Sequence, residues 1–354
     1  MKTRKRALQT ERTSCSTNKK TTPGVFTFFR LFSAKKKFCA DSASSGPFRV
    51  PHSELAPSCP ILFAFEIVQR FDPPSVIIPL VSQRTLEAHY LPNWRLTQAH
   101  GLSGYNCGYA VQRGGASFHE HQQALVWRLI GEMAIGPKST VVDVGCGIGG
   151  PAGWITERYQ PRRLIGVEYL WSSVAAAHAR AAAEADRDRP ASRPIFVQGD
   201  AHRLPLADGS VDVIFNLESA LHYPDKRTFI SECRRILAPG GALCLGDITT
   251  SHRWLFTPAQ LLNRLPSQYN SNVWLWSPKD YRRAFDAEGL ELIRHEEASR
   301  PVADSLADGI AEIRHRGPAS MKGFRGRFFY LAFLEKLLRA RLLRYDLFCL
   351  RRSR

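Results

Sequence analysis

VVDVGCGIGGPA, running from Val141 to Ala152, is an apolar stretch with a single acid, Asp143, that passes through Gly145, Gly147, Gly149 and Gly150 into residues able to open a helix. Glycines at these positions let the backbone turn sharply and let a ligand come close to the main chain. The free N–H groups and positive dipole end of the ensuing helix favour an anionic group on that ligand. The stretch therefore reads as a strand, a turn and a helix that hold a nucleotide-type cofactor at the strand's end. On glycines alone, Gly145-x-Gly147-x-x-Gly150 satisfies a dinucleotide fingerprint, with Glu168 at about the distance of a ribose-binding acid. Asp143 is not part of that fingerprint, so the glycines alone do not identify the cofactor.

Downstream, strands and helices alternate. Arg163–Glu168 is an apolar strand ending in an acid, Ser172–Ala185 is an alanine-rich helix, and Pro194–Val197 is a short strand leading into Gly199-Asp200-Ala201. Val211–Asn216 is a fourth strand after the turn Asp208-Gly209-Ser210. Lys226–Leu237 is a helix, and Pro239-Gly240-Gly241 turns the chain into a fifth strand, Ala242–Asp247. Upstream, Ser117-Phe-His-Glu120 has capping-box form and starts a helix to about Met133. Ser277-Pro278-Lys279-Asp280 starts another, ending at Gly289, and Leu290–Ile293 is a sixth strand. A helix from about Phe328 to Leu342 and a strand Tyr345–Leu350 complete the chain. This alternation predicts an α/β fold, a Rossmann-like sheet of seven strands, mostly parallel, with helices on both faces. Ligands of such sheets bind at the carboxyl ends of the strands. Glu168 and Asp200 sit at those ends, and a carboxylate, being acceptor-only, suits ribose hydroxyls or an amino group.

The string VDVGCGIGGPA, the acids Glu168 and Asp200, and NLESALHYPDKRTFISECRRILAPGGALCLGD (Asn216–Asp247) together resemble class I S-adenosylmethionine-dependent methyltransferases over roughly residues 100–300. Within that family the chain looks most like enzymes that methylate sterols, tocopherols, sugars and antibiotics. The resemblance implies S-adenosylmethionine as cofactor and an antiparallel last strand. It implies that Asp143 helps hold the cofactor's amino group, that Gly145, Cys146, Gly147 and Gly149 pass under it, and that Glu168 takes the ribose hydroxyls. Asp200 with Ala201 would meet the adenine, and Asn216 and Leu217 would flank the cofactor. No N-P-P-Y-type tetrapeptide succeeds the fourth strand, which argues against nucleic-acid methylation and leaves a small-molecule acceptor.

A sulfonium is already an activated methyl donor, so the protein's task is alignment and exclusion of water. For a hydroxyl acceptor, His222 in the loop after the fourth strand is the candidate general base; it reads equally as a packing histidine. Asp247 at the end of the fifth strand could orient it or bind the acceptor. Glu218 ranks below His222 unless the acceptor is a carbon, where it would stabilise a cation. An insertion near residues 249–276 carries Trp254, Phe256, Tyr269, Trp274 and Trp276, which suit an apolar or ring-bearing acceptor or simply pack the cover on the sheet. Tyr105 and Tyr109 lie in a Gly- and Tyr-rich loop that the resemblance places near the site.

Charge is concentrated at the two ends. Residues 1–50 and residues 314–354 each hold 12 Lys and Arg against 2 acids, so each carries +10 in a chain of net +17 and the centre carries −3. Residues 1–85 read as a basic, poorly structured extension and residues 86–354 as the methyltransferase domain. The extension lacks the apolar core and cleavage site of a secretory signal, so the reading is cytoplasmic, with organellar targeting by the extension as the variant. The C-terminal segment reads as core, with a basic amphipathic helix on a membrane as its rival. The eight cysteines form no C-x-x-C pair, and His119 and His121 are too close in sequence to share a helix face, so no metal is expected. Two rival functions remain: an NAD-dependent oxidoreductase, disfavoured by Asp143 and Asp200, and a nucleic-acid or membrane adaptor using the basic ends.

Overall fold

The computed structural model describes Glu87 and residues 106–112, 114–131, 133–184, 193–252, 273–315 and 325–354, with side chains from Tyr330 onward in the last stretch. The chain divides into two units, Met1–Cys59 and Pro60–Arg354, and every described residue belongs to the second. The proposed extension to residue 85, Tyr105, Trp254, Phe256 and Tyr269 lie outside the described residues.

In chain order the elements are α1 (Phe118–Ile130), β1 (Thr140–Val144), α2 (Gly150–Tyr159), β2 (Arg163–Glu168), α3 (Trp171–Ala183), β3 (Ile195–Gln198) and β4 (Val211–Leu217). They continue with α4 (Lys226–Ile236), β5 (Leu237–Thr249), α5 (Pro278–Ala287), β6 (Leu290–Glu297), α6 (Ser299–His315), α7 (Arg325–Arg339) and β7 (Arg344–Arg352). The seven strands form one sheet in the order β3-β2-β1-β4-β5-β7-β6. β1 to β5 pair in parallel, while β7 lies between β5 and β6 and runs antiparallel to both. This is the mostly parallel sheet with an antiparallel last strand that the alternation and the resemblance predict. The chain winds outward from β1 to β3 and then crosses to β4 on the other side of β1. That reversal opens a crevice beyond the ends of β1 and β4, the usual ligand position in such sheets.

Alternation along the strands sends side chains to two cores, one on each face. Val141, Val213, Phe215, Cys244, Leu347 and Cys349 pack against α1, α2, α6 and α7. Val142, Ile214, Leu243, Leu245, Phe348 and Leu350 pack against α4 and α5 through Phe229, Ile230, Cys233, Tyr281 and Phe285. The capping boxes form as the residue types dictate: Ser117 and Glu120 close reciprocal bonds at the start of α1, and Ser277 and Asp280 do so at α5. Leu331, Leu334 and Leu338 of α7 are buried in the first core, so the inward face of the C-terminal helix is core.

Several boundaries differ from expectation, and one helix is new. α1 ends at Ile130, where Gly131 turns with φ +55°. β5 starts at Leu237, five residues early, because Pro239-Gly240-Gly241 forms an irregularity inside the strand; the partners jump from Val211–Leu237 to Val213–Ala242. α6 corresponds to no helix read from the sequence. It buries Val302, Ala303, Leu306, Ile310 and Ile313 at helical spacing, and its Gly309 lies against the Phe118 ring.

Candidate functional site

The glycine turn is shaped by its neighbours. Gly145 (φ +73°) and Cys146 direct their N–H groups to the carbonyl of Val167, at 2.7 and 3.3 Å, tying the end of β1 to β2. A β-carbon on Gly145 would lie 1.8 Å from Ser219 Oγ, so the end of β4 comes down directly on this glycine. Gly149 (φ +78°) faces the Phe196 ring and provides no side chain to cap α2. Gly147 (φ +55°) is different: a β-carbon there would meet nothing within 4 Å. The turn is thus packed on two glycines and open at the one between them. A Gly147→Ala chain should keep its fold at a cost of about 1 kcal/mol for the left-handed backbone. Its methyl group would occupy the open space, so affinity for S-adenosylhomocysteine should fall by more than about tenfold. Calorimetry beside a thermal melt checks this, and unchanged affinity would place the ligand elsewhere.

The acids surround this opening. Glu168, at the end of β2, accepts from Gly147 N through Oε2 and from Leu170 N through Oε1, both at 3.0 Å. Burial raises its pKa, and the backbone N–H groups pull it back. A carboxylate is acceptor-only and can take further donors such as hydroxyls. Asp143 is buried within β1, and its Oδ2 has no hydrogen-bond partner. Burial, reinforced by the charge of Glu168, pushes its carboxyl up to about 8. Asn216, at the end of β4, donates from Nδ2 to Val144 O at 2.8 Å and to Tyr223 OH at 3.3 Å, which leaves its Oδ1 buried and unpartnered. Two orphaned acceptors beside an open glycine fit a ligand that brings donors, such as an ammonium group. Asp200 is exposed past β3 and accepts from His202 N and Nδ1, at 2.9 and 2.7 Å. Burial works against its charge, yet the His202 bonds hold it below the usual carboxylate range. Ala201 and Leu217 line the same strand ends and are buried. Cys146 is buried, and desolvation together with the charges of Asp143 and Glu168 pushes its thiol well up, so it packs as a neutral small residue.

The orphaned Asp143 carboxyl sets a pH signature. At neutral pH it is largely protonated in the free protein, and a bound ammonium group would favour the carboxylate. Binding of S-adenosylhomocysteine at pH 7 should therefore release close to one proton, with affinity rising as pH approaches 8 and levelling above it. Calorimetry in two buffers of different ionisation enthalpy measures the proton count. A count near zero would remove Asp143 from the cation's partners. The raised pKa also means that the free protein loses this group's stabilisation as pH climbs from about 4 through 8, because the folded state prefers the neutral acid.

On the other side of β4 the remaining candidates gather. His222 closes a short 3₁₀ turn, Ala220–His222, and is partly exposed. Asp247 is fully buried; its Oδ1 accepts from Leu221 N at 3.1 Å and its Oδ2 from Tyr281 OH. It therefore bears on His222 through the backbone of the preceding residue. Burial raises its pKa, and Lys226 opposes the rise. Glu218 has φ +51°, unusual for its type, and both its oxygens are engaged. Oε1 accepts from Cys107 N and Tyr345 OH, each at 2.7 Å, and Oε2 from Cys107 Sγ at 3.3 Å. Burial again raises its pKa against these bonds. Glu218 thus fastens residues 106–110 over the strand ends, helped by Ser305 Oγ on Cys107 O and by Pro301 O on Ala110 N. Tyr109 reaches Glu296 from this segment. Gly147 is bonded to Glu168, the charge of Glu168 acts on Asp143, and Asn216 is bonded to Val144 O at the end of β1. Glu218 and Asp247 lie on opposite faces of the sheet, each held by a tyrosine.

Sequence reasoning missed Cys107, Tyr281, Tyr345 and Lys226, which lie far along the chain from the groups they hold. His121 is buried against Asp308 and His119 packs edge-on to Trp154, so both serve packing. No group of three or more metal-ligating side chains occurs among the described residues.

Residues 142–245 match the model of a methyltransferase domain family. A probable chloroplastic tocopherol O-methyltransferase of Oryza sativa subsp. japonica is 32% identical over 227 residues, 59% of this chain and 58% of that protein. The erythromycin 3''-O-methyltransferase of Saccharopolyspora erythraea is 35% identical over 144 residues, 40% of this chain and 45% of its own length. The chain thus spans about half the length of the curated relatives it matches. Among solved structures, geranyl diphosphate C-methyltransferase from Streptomyces coelicolor, complexed with S-adenosyl-L-homocysteine, shares the fold with a TM-score of 0.58 at 19% identity. That match covers 79% of this chain and 100% of the other. A glycine turn with an acid inside its strand, a second acid holding the turn and a matching family model agree, and residues 142–245 are similar to a methyltransferase domain.

Proposed function

We propose that the chain transfers a methyl group from S-adenosylmethionine to an oxygen, nitrogen or carbon atom of a small, apolar or ring-bearing metabolite or lipid. The observation that carries this reading is the opening at Gly147, where Glu168 holds the turn and Asp143 Oδ2 and Asn216 Oδ1 stand buried without donors. Asp143 and Asn216 would meet the cofactor's amino acid part, Glu168 its ribose, and Asp200 with Ala201 its adenine. When bound, the cofactor supplies an activated methyl group on sulfur. His222 takes the proton that a hydroxyl acceptor loses as its oxygen gains the methyl group, and Asp247 holds the His222 turn through Leu221 N. Trp274 and Trp276, partly buried beside this turn, offer apolar surface to the acceptor.

The test uses cofactor labelled on its methyl group, with tocopherol as a phenolic probe and host extract as a broader source. Label in an organic-soluble product supports the reading. Label in nucleic acid overturns the substrate class, and binding of NADH in competition with S-adenosylhomocysteine would favour the oxidoreductase. A lipid acceptor fits a peripheral position. No helix among the described residues is long and apolar enough to cross a membrane. The outer face of α7 exposes Tyr330 and Phe333, at 53% and 62%, with the exposed Lys336 three residues on. This pattern suits an anionic lipid surface, and flotation with phosphatidylserine vesicles measures it. The chloroplastic relative makes fractionation of cytosol and organelles the direct assay of location.

A further inference from the structure

We propose that Lys226 is a positioning residue that locks Trp274 onto the turn carrying His222. Lys226 is the first residue of α4 and its side chain is fully buried, a rare state for lysine unless paired. The N-terminus of a helix is also the wrong end for a cation. Its Nζ donates to two backbone carbonyls, Tyr223 O at 3.2 Å and Trp274 O at 2.5 Å. Trp274 N in turn donates to Leu221 O at 2.7 Å. Both backbone groups of Trp274 are therefore engaged, one with the residue before His222 and one, through Lys226, with the residue after it.

The charged and titratable groups facing Lys226 are few. Asp247 opposes it electrostatically, and Asp247 is itself bonded to Leu221 N and Tyr281 OH. The Trp276 ring lies 5.9 Å from Nζ, and Thr250 N donates to Trp276 O. Burial pulls the Lys226 pKa down and Asp247 raises it. With Asp247 neutralised as well, an apolar side chain would fill this space at little electrostatic cost, since buried charged pairs replaced as a whole by uncharged groups are often neutral or stabilising. What an apolar side chain could not supply is a donor that reaches two carbonyls on separate segments.

Three variants of the full chain test this: Asp247→Asn, the double variant Lys226→Met with Asp247→Asn, and Lys226→Gln, which is neutral but keeps a donor. The double variant leaves no unpaired buried charge, so it folds where Lys226→Met alone could fail. Hydrogen exchange at the Trp274 amide is the first readout and does not depend on the proposed reaction. Exchange should stay slow in Asp247→Asn, rise by about tenfold in the double variant, as loss of one hydrogen bond implies, and be partly restored in Lys226→Gln. Affinity for S-adenosylhomocysteine should be unchanged in all three. The kinetic readout rests on the methyltransferase reading: with the acceptor found by methyl labelling, kcat should drop in the double variant relative to Asp247→Asn. If the double variant protects Trp274 as well as Asp247→Asn does, Lys226 only balances Asp247 and the proposal is overturned. If exchange rises but no acceptor is ever methylated, the clamp stands and the proposed function falls.

Discussion

Replacing Glu168 by alanine should weaken binding of S-adenosylhomocysteine by about 10²–10⁴-fold. The carboxylate is bonded to the open turn at Gly147 and acts only as an acceptor, and hydrogen bonds to a charged group are each worth about 1.5–3 kcal/mol. Two ribose hydroxyls lost together give the quoted range at about 1.4 kcal/mol per tenfold. A second effect adds to it. Gly147 N and Leu170 N both lose their acceptor, so the turn that leaves space at Gly147 is no longer held in shape. Titration calorimetry on the folded variant gives the answer. The free protein should not lose comparable stability, because the alanine also removes a carboxylate whose burial raises its pKa. Affinity within about threefold of the parent chain would show that the ribose lies elsewhere.

Gly145→Ala acts on the fold itself. The added methyl would stand 1.8 Å from Ser219 Oγ and 2.5 Å from Ser219 Cβ, with φ +73° at the residue. Ser219 cannot swing away freely, since its Oγ lies 2.6 Å from Tyr223 OH, which also accepts from Asn216. Overpacking of this kind costs about 1–3 kcal/mol, and the left-handed backbone adds about 1 kcal/mol. A loss of about 2–4 kcal/mol should lower the melting temperature by several degrees, against a much smaller shift for Gly147→Ala. Equal melts for the two variants would contradict the packing described at the end of β4.

The two glycines show how far sequence reasoning reaches. The pattern places a tight turn at residues 145–150 but does not distinguish the glycine under Ser219 from the one facing open space. Strands β1 to β4 were legible because each is an apolar run bounded by turn residues. The starts of α1 and α5 were legible because a capping box is a local event within four residues. Helix α6 was not, because Ala303, Ser305 and Gly309 are buried by virtue of being small, which weakens the apolar signal. The early start of β5 was hidden by Pro239-Gly240-Gly241, a turn signal that here forms an irregularity within a strand. Acids at strand ends could be named from position alone. Their partners could not: Cys107 and Tyr345 meet at Glu218 from 111 and 127 residues away, a distance at which no local spacing carries information.

The position of β7 bears on how the chain is made. Arg344–Arg352 inserts between β5 and β6, although both of those strands precede it in synthesis. Until those residues leave the ribosome, β5, paired with β4, keeps one open edge and β6 has no partner, and unpaired strand edges template association with other chains. Glu218 also lacks the Tyr345 hydroxyl until then. The cradle around Gly147, built from β1, β2 and β4, can therefore assemble during translation while the opposite side of the crevice waits for β7. A ligand able to dock early on that first half would favour the folded edge over aggregation by mass action.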